Sequence, residues 1–524
     1  PNYAEAHNNL GTALIELGKP EQGVASYQRA IMIRPDYAEA HSNFGNAQKQ
    51  LGKLNEAAAS YQNALKIKPA YAEAHNNLSV VQKELGQLDE AITSCHKALA
   101  IKPDYAEAHY NLGNILNKLE KLDEAVTSFH KALAIKPDYI EAHSNLGLSL
   151  HELGKLDEAV ASCKMAIQIQ PDYAQAYNNL GGALQGLGEF DEAVANYHKA
   201  LAIKPDYAEV HKNLGITLLA LGRLKEGLDE HEWRWQASSH ATNWRNFTQP
   251  VWDGITDLSD QTILLWREQG PQDVTIWASG ISQIVAQAGL CIIEVQPKLV
   301  PLFTRTFPEA VVRVEDSSSQ AKSTDIDFHL PLGSLFLCLY PSIEPTTASY
   351  LIPDPERVSF WQKRLAELGP GPYVGISWKS PVITPARAPN YTRIEEWLPV
   401  FEDRNVLFVN LQCGDYKNDL AIAKRDFGVI VHNFDDLDLY DDLDDVAALS
   451  KALDIAISVS TAVAAITAGV GTPTWLVSWR QSAWNNILYA PRGPSVTSFE
   501  RNTGKTWDAA FEKIAERLKL RILE

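Results

Sequence analysis

Three stretches in the second half of the chain carry the residue types that anion chemistry needs. Glu268-Gln269-Gly270-Pro271-Gln272-Asp273 follows an apolar run and opens a helical segment. Glycine there lets a backbone come close to a ligand, and the amides of a helix start favour an anion. Gly375-Ile376-Ser377-Trp378-Lys379-Ser380 closes a second apolar run and leads to Arg387, Asn390 and Tyr391. It supplies the local positive charge that an acidic protein would need to hold a diphosphate. Ser458-Val459-Ser460-Thr461-Ala462-Val463 runs straight into a small-residue helix ending at Gly469-Val470-Gly471. Hydroxyls and open amides at that helix start suit phosphate oxygens. Any strand-to-helix turn can contain Gly or Ser, so the weight lies in three such turns at equivalent places.

Those places are set by an alternation of apolar runs with helical segments. Strands are predicted over 262–267, 291–295, 310–314 and 326–330, then a break at Pro353-Asp354-Pro355 and a helix over 356–367. A second series follows at 373–378, 406–411, 429–433, 454–459 and 474–478. Such alternation predicts parallel sheets covered by helices, and two series predict two Rossmann-like lobes, over 237–365 and 366–524. Ligands of such sheets sit beyond the carboxyl ends of the strands, where all three stretches fall. Between them and the preceding segment, Trp233, Trp235, Trp244, Phe247 and Trp252 crowd together, so a packed junction is expected and not a loose tether.

Residues 1–236 are built differently. Pro1, Pro35, Pro69, Pro103, Pro137, Pro171 and Pro205 open seven units of 34 residues. Tyr105, Ala108, His109, Leu112, Leu116 and Leu119 form one apolar helix face, and Leu122, Ala125, Val126, Phe129, Ala132 and Leu133 a second. Neither face can be buried alone, so the pairs must stack into an α-solenoid, each stopped by the next Pro. The chain opens in phase with the period and without a polar capping repeat, so residues are expected ahead of Pro1.

Asn9, Asn43, Asn77, Asn111, Asn145, Asn179 and Asn213 form a polar column, each with Glu or Gln four residues earlier. Asn is a poor former of helix interiors, so the column asks for a reason. A carboxamide can pair with a peptide backbone whatever its side chains, which makes the column a candidate peptide-binding ladder. A merely tolerated surface Asn, copied by duplication, is the plain alternative. The repeating His7, His41, His75, His109, His143 and His211 lies on the apolar face and becomes Tyr177 in one copy. A packed core residue is expected there and not a metal ligand.

The net charge of −18 and pI near 5.3 argue against a general affinity for nucleic acid or anionic lipid. Cys95, Cys163, Cys291, Cys338 and Cys413 are scattered, without a Cys-x-x-Cys pair, which points to a reducing, cytoplasmic setting and no structural metal. No run of 18 apolar residues appears, so no membrane span is expected. The run Asp435–Asp445 holds seven Asp in eleven residues. It precedes a helix, where Asp at the cap is expected, with one carboxylate within reach of a ribose.

Leu112-Gly113, Ala125, Phe129, Ala132 and Pro137 stand at the spacing of the tetratricopeptide repeat, which residues 1–236 resemble throughout. The Asn column is similar to the ladder lining the repeat arm of O-GlcNAc transferase, which implies an extended polypeptide partner. Trp233-Arg234-Trp235, the 268–273 and 375–380 loops, VNLQ at 409–412, DDLDDVAAL at 441–449, residues 453–473 and the Trp484 region resemble bacterial tetratricopeptide-repeat glycosyltransferases. Those are similar to heptosyltransferases, of the two-lobed GT-B fold. The resemblance implies a nucleotide-sugar held by the second lobe, without metal or cofactor, at Ser377, Lys379, Arg387, Tyr391, Gln412, Asp445, Ser460, Thr461, Ala462 and Val463. It implies an acceptor entering a cleft over Glu268, Gln269 and Gly270. Asp273 matches the acid of the family's glycine loop and is the implied base, with Gln272 replacing the preceding Gly; a merely structural acid at a helix start is the plain alternative. Ser460-Thr461-Ala462-Val463 matches an Asp-Thr-Ala-Val motif, with Ser460 in place of the Asp and Ala465 in place of a usual His. The alternative is a scaffold that keeps the fold and has lost catalysis.

Overall fold

A computed structural model describes residues 3–237, 244–315, 325–340, 349–381, 383, 390–403, 405–478, 496–501 and 506–523. The chain forms two compact units, Pro1–Gly186 and Leu187–Glu524. The break falls inside the sixth repeat and not where the period ends.

The first unit is helical throughout: α1 (Ala4–Glu16), α2 (Pro20–Ile33), α3 (Ala38–Gln50), α4 (Leu54–Ile67), α5 (Ala72–Glu84), α6 (Leu88–Ile101), α7 (Ala106–Lys118), α8 (Leu122–Ile135), α9 (Ile140–Glu152), α10 (Leu156–Ile169) and α11 (Ala174–Leu187). In the pairs α1–α2, α3–α4 and α7–α8 an aromatic ring of the second helix lies on the small residue of the first, and in α9–α10 Cys163 takes its place. A Cβ added at Gly113 would come within 2.6 Å of Phe129, and one at Gly45 within 2.9 Å of Tyr61. Hydrogen at that position therefore sets how closely the helices approach. The turn between paired helices needs a left-handed residue. Gly18, Gly52, Gly86 and Gly154 provide it at φ 70 to 78°, while Glu120 adopts φ 59° in the repeat that lacks the glycine. The first four repeats end on a cation lying over the next Tyr: Arg34 over Tyr37 at 4.5 Å, Lys68 over Tyr71 at 4.7 Å, Lys102 over Tyr105 at 4.8 Å and Lys136 over Tyr139 at 4.5 Å.

The second unit begins with α12 (Phe190–Ile203), α13 (Ala208–Ala220), α14 (Leu224–His231) and a 3-10 turn over Glu232–Trp235. A parallel sheet follows: β1 (Thr262–Trp266), β2 (Leu290–Val295), β3 (Val311–Val314) and β4 (Phe328–Pro331), ordered β3-β2-β1-β4. Its helices are α15 (Pro271–Trp277), α16 (Ile281–Val285), α17 (Val300–Thr306) and α18 (Leu335–Leu339), and α19 (Pro355–Ala366) leads to the second sheet. That sheet holds β5 (Tyr373–Ser377), β6 (Leu407–Asn410), β7 (Val431–His432), β8 (Ile455–Val459), β9 (Thr474–Ser478) and β10 (Val496–Glu500). Its strands are all parallel in the order β10-β9-β8-β5-β6-β7. Between strands lie α20 (Leu398–Phe401), α21 (Lys417–Phe427), α22 (Leu443–Ala452) and α23 (Ala462–Gly469), with a closing helix over Asp508–Leu523. The nine predicted strands are present. β10 was not expected, because its Val-Thr-Ser-Phe-Glu is half-exposed and lacks an apolar run.

The seventh repeat shares a core with the first sheet: Leu219 and Leu228 pack with Ile263, Trp277, Leu330 and Leu335. Leu443, Ala447, Ala465, Ile466 and Leu476 of the second sheet's side belong to the same core. The lobes expected to face each other across a cleft are therefore joined by continuous apolar packing. Tyr350 and Leu351 donate backbone N–H to the Gly469 carbonyl at 2.9 and 3.0 Å, and Arg305 grips Asp444 with two bonds of 2.8 Å. No helix among the described residues is long and apolar enough to cross a membrane.

Candidate functional site at the strand ends

The three loops converge. β5 and β8 are neighbours in register, with Ser377 opposite Ser458, so the loops carrying Lys379 and Thr461 leave the same sheet edge side by side. Strand order reverses at this pair, since β6 and β7 lie on one side and β9 and β10 on the other. Such reversal points open the crevice in which doubly wound sheets take ligands. From the first sheet, Gln272 on the opening turn of α15 donates its Nε2–H to Ser460 Oγ at 2.8 Å. The first and third loops are thereby in direct contact.

The predicted residues that are described have definite settings. Thr461 is the N-cap of α23 and accepts from the Ala464 amide, while Val463 is buried and Ala462 is partly exposed. Ala465 is fully buried in the shared core, so that position faces no ligand. Lys379 extends its ammonium to Asp419 at 2.6 Å, and the same Oδ2 accepts from the Trp378 indole at 2.8 Å. Tyr391 leans on the second sheet's core beside Thr392, which bonds back to the Trp378 carbonyl. Arg387 and Trp484 lie outside the described residues.

Two residues expected at the donor have other work. Gln412 is fully buried; its Oε1 accepts from the backbone N–H of Trp378 and of Lys379, both at 2.9 Å. It shapes the second loop and does not project from it. Asp445 receives Arg357 through bonds of 2.8 and 2.5 Å and the Trp361 indole at 2.8 Å, so it is closed to a ribose. The acidic run is held in the same manner. Asp442 caps α22 through the Asp445 amide, Asp436 meets Arg364 at 2.5 Å, and Asp438 accepts the amides of Tyr440 and Asp441. Among the described residues no three His, Cys, Asp or Glu side chains converge as a metal ion requires.

The first loop also departs from expectation at Glu268. Its carboxylate turns inward to Arg234, at 3.1 and 3.2 Å, and is nearly sealed from water. Burial raises its pKa, against the pull of the guanidinium, and Asp273 nearby adds to the rise. Arg234 is fully buried and also binds Glu232 at 2.5 Å and Ser334 Oγ at 2.8 Å. This network was not anticipated. An Arg between two Trp, in a stretch dense with aromatics, signals a buried cation that must find a carboxylate. Gln269 and Gly270 remain partly exposed, and a Cβ on Gly270 would meet nothing within 4 Å, so packing does not demand glycine there. Asp273 sits partly exposed on the first turn of α15, next to the Gln272 that reaches Ser460.

In the first unit the Asn column joins repeats. Asn43 donates to Asn8 at 3.0 Å, Asn77 to Asn46 at 3.1 Å, Asn111 to Asn76 at 2.8 Å, and Asn145 to Asn114 at 2.8 Å. Asn179 reaches the carbonyl and hydroxyl of Ser144, both at 3.0 Å. One amide donor of each thus bridges to the preceding repeat, which gives the column a structural reason. Asn9 is exposed on α1, and Asn213 lies on α13 in the second unit. The repeating His is a half-buried backbone ligand more than a core residue. Its Nε2 meets the carbonyl of the Pro six residues earlier, at 2.9 Å in His41 and His143 and 3.1 Å in His75 and His109.

Tetratricopeptide-repeat family models match residues 11–154 and 138–232. The chain is 34% identical over 286 residues to protein FlbA of Caulobacter vibrioides, an alignment covering 51% of this chain and 48% of FlbA. The chain thus spans about half the length of that curated relative. Among solved structures it is similar to YrrB, described as a tetratricopeptide protein with an unusual peptide-binding site. There the identity is 27%, with 35% of this chain and 95% of YrrB covered at a TM-score of 0.31. It is similar also to MamA, at 29% identity, 32% and 96% coverage and a TM-score of 0.29.

Proposed function

We propose that the chain is a glycosyltransferase of the GT-B type that captures a polypeptide on its tetratricopeptide repeats and transfers a sugar from a nucleotide donor without a metal. The observation that carries this reading is the meeting of three loops at the reversal point of the second sheet. Ser460 and Thr461 at the start of α23, with Lys379 beside them, suit the oxygens of a departing diphosphate. Asp273 is the base: it takes the proton of the acceptor hydroxyl as that oxygen bonds the anomeric carbon and the bond to the diphosphate breaks. On the repeats, the carbonyl oxygens of Asn43, Asn77 and Asn111 accept no bond within the described residues, and they would take the N–H groups of an extended peptide.

Calorimetric titration with uridine, guanosine, cytidine and adenosine diphosphates tests the donor site, in buffer containing EDTA. One of the four should bind, and Asp273→Asn should keep that affinity while abolishing donor turnover. Failure of all four removes the reading. A scaffold without turnover is the second reading, favoured by Ala465, which stands where the family has a usual His and is fully buried in the shared core. Binding with no hydrolysis or transfer in the unmodified protein would select it.

A further inference from the structure

Arg234 is sealed from solvent in the 3-10 turn that ends the seventh repeat, where it serves two carboxylates and a hydroxyl. A guanidinium buried this way is tolerable only while all its partners stay in place. Behind it, the turn is fixed to α13 by Trp233, whose indole stacks on His211 with ring centroids 3.9 Å apart and planes 8° from parallel. His211 is itself anchored, by Glu230 at 2.5 Å and the Pro205 carbonyl at 2.8 Å. Ahead of it, Glu268 begins the loop that becomes α15, and a Cβ on Gly333 would overlap that carboxylate, so the side chain rests directly on the Gly333 backbone. Gln272, four residues on, crosses to Ser460. The last repeat, the first loop and the third loop are thus joined by one ring stack and a series of short polar contacts.

We propose that Arg234 is a positioning residue: through Glu268 and Gln272 it lets the seventh repeat set the order of the Ser460–Thr461 loop. What that order governs rests on the phosphate-side reading of the loop given above; the linkage itself does not. Apolar packing of α15 on α23 is a competing route, so the relay must be separated from it. Gln272 lies at the partly exposed start of α15, and its removal cuts the polar link while leaving the packed face of the helix in place.

The test is amide hydrogen exchange on the full chain, comparing Arg234→Lys, Gln272→Ala and the double variant. Arg234→Lys should speed exchange roughly tenfold in both 274–277 and 464–469, as one strong bond is lost. Gln272→Ala should speed 464–469 alone. In the double variant, 464–469 should exchange no faster than in Gln272→Ala, because the relay is already cut. Additive effects at 464–469, or a response to Arg234→Lys confined to 274–277, would overturn the proposal. Should Arg234→Lys fail to fold, Glu268→Gln, which keeps an acceptor for the guanidinium, is read by the same criteria. Nucleoside diphosphate titration of the unmodified protein is scored separately: absence of binding counts against the donor reading and leaves the exchange result to decide the relay.

Discussion

Acidification should loosen the first sheet through His329. This residue is buried on β4, and its Nδ1 accepts the Trp266 indole N–H at 3.2 Å. An indole can only donate, so a proton on Nδ1 would set two donors face to face. Arg245 lies close by, over the rings of Phe247 at 4.8 Å and Trp266 at 5.7 Å. Burial first, and the Arg245 charge second, bring the imidazole from 6.5 down to about 4. The folded chain then binds this proton more weakly than the unfolded chain does. The contribution to stability is therefore whole above pH 6.5 and is lost as pH falls from there toward 4. At about 1.36 kcal/mol per unit the ceiling is ~3 kcal/mol. Urea unfolding followed by tryptophan fluorescence, at pH 7.5 and 4.5, compares the unmodified protein with His329→Gln, whose amide oxygen can still accept from Trp266. Carboxylates titrate in both and cancel in the difference. The unmodified protein should lose about 2 kcal/mol more than the variant on acidification. Equal losses, or a larger loss in the variant, would refute the reasoning.

Gly333→Ala should destabilise the second unit by about 3–5 kcal/mol in urea titration, because the new Cβ would overlap Glu268 Oε1 and expel the carboxylate from Arg234; a loss under about 1 kcal/mol would mean that this pair holds little together. Asp419→Asn should raise the affinity for inorganic pyrophosphate about fivefold by calorimetry. The amide still accepts from Trp378 but no longer neutralises Lys379, a partly exposed charge worth ~1 kcal/mol. Unchanged affinity would place Lys379 outside the anion site.

Strands and repeats were legible because their signals are local. The interval from Pro35 to Pro205 and runs such as TILLW and DIAISV need no knowledge of what they touch. What the sequence left hidden depends on pairing across long separations. Glu268 reads as the head of a glycine loop until Arg234 is seen beneath it, and Asp445 reads as open until Arg357 and Trp361 close over it. Gln412 looks like a ligand residue for the same reason, since the amides of Trp378 and Lys379 that it collects are more than thirty positions earlier. The Asn column was recognisable as a column, but its use between repeats follows only from the distance of one carboxamide to the next helix. The clearest sign missed was Trp-Arg-Trp at 233–235, where the cost of an unpaired buried guanidinium already demanded a partner.

The two sheets also explain why the second is the better place to look for a ligand. Both follow one order around their first strand: β3-β2-β1-β4 in one, and β7-β6-β5-β8 within the other. Each therefore has a crevice where the order reverses, after β1 and β4 in the first and after β5 and β8 in the second. The first crevice is filled by the chain itself, because Glu268 leaves β1, lies over Gly333 after β4 and is neutralised by Arg234, which Ser334 in turn holds. A ligand there would have to displace a buried ion pair. The second crevice is bordered by Ser460, a capping Thr461 and a lysine paired with one partly exposed carboxylate. An anion that took Lys379 would leave Asp419 partly exposed and still bonded to the Trp378 indole, whereas a ligand in the first would leave Arg234 or Glu268 charged and sealed from water.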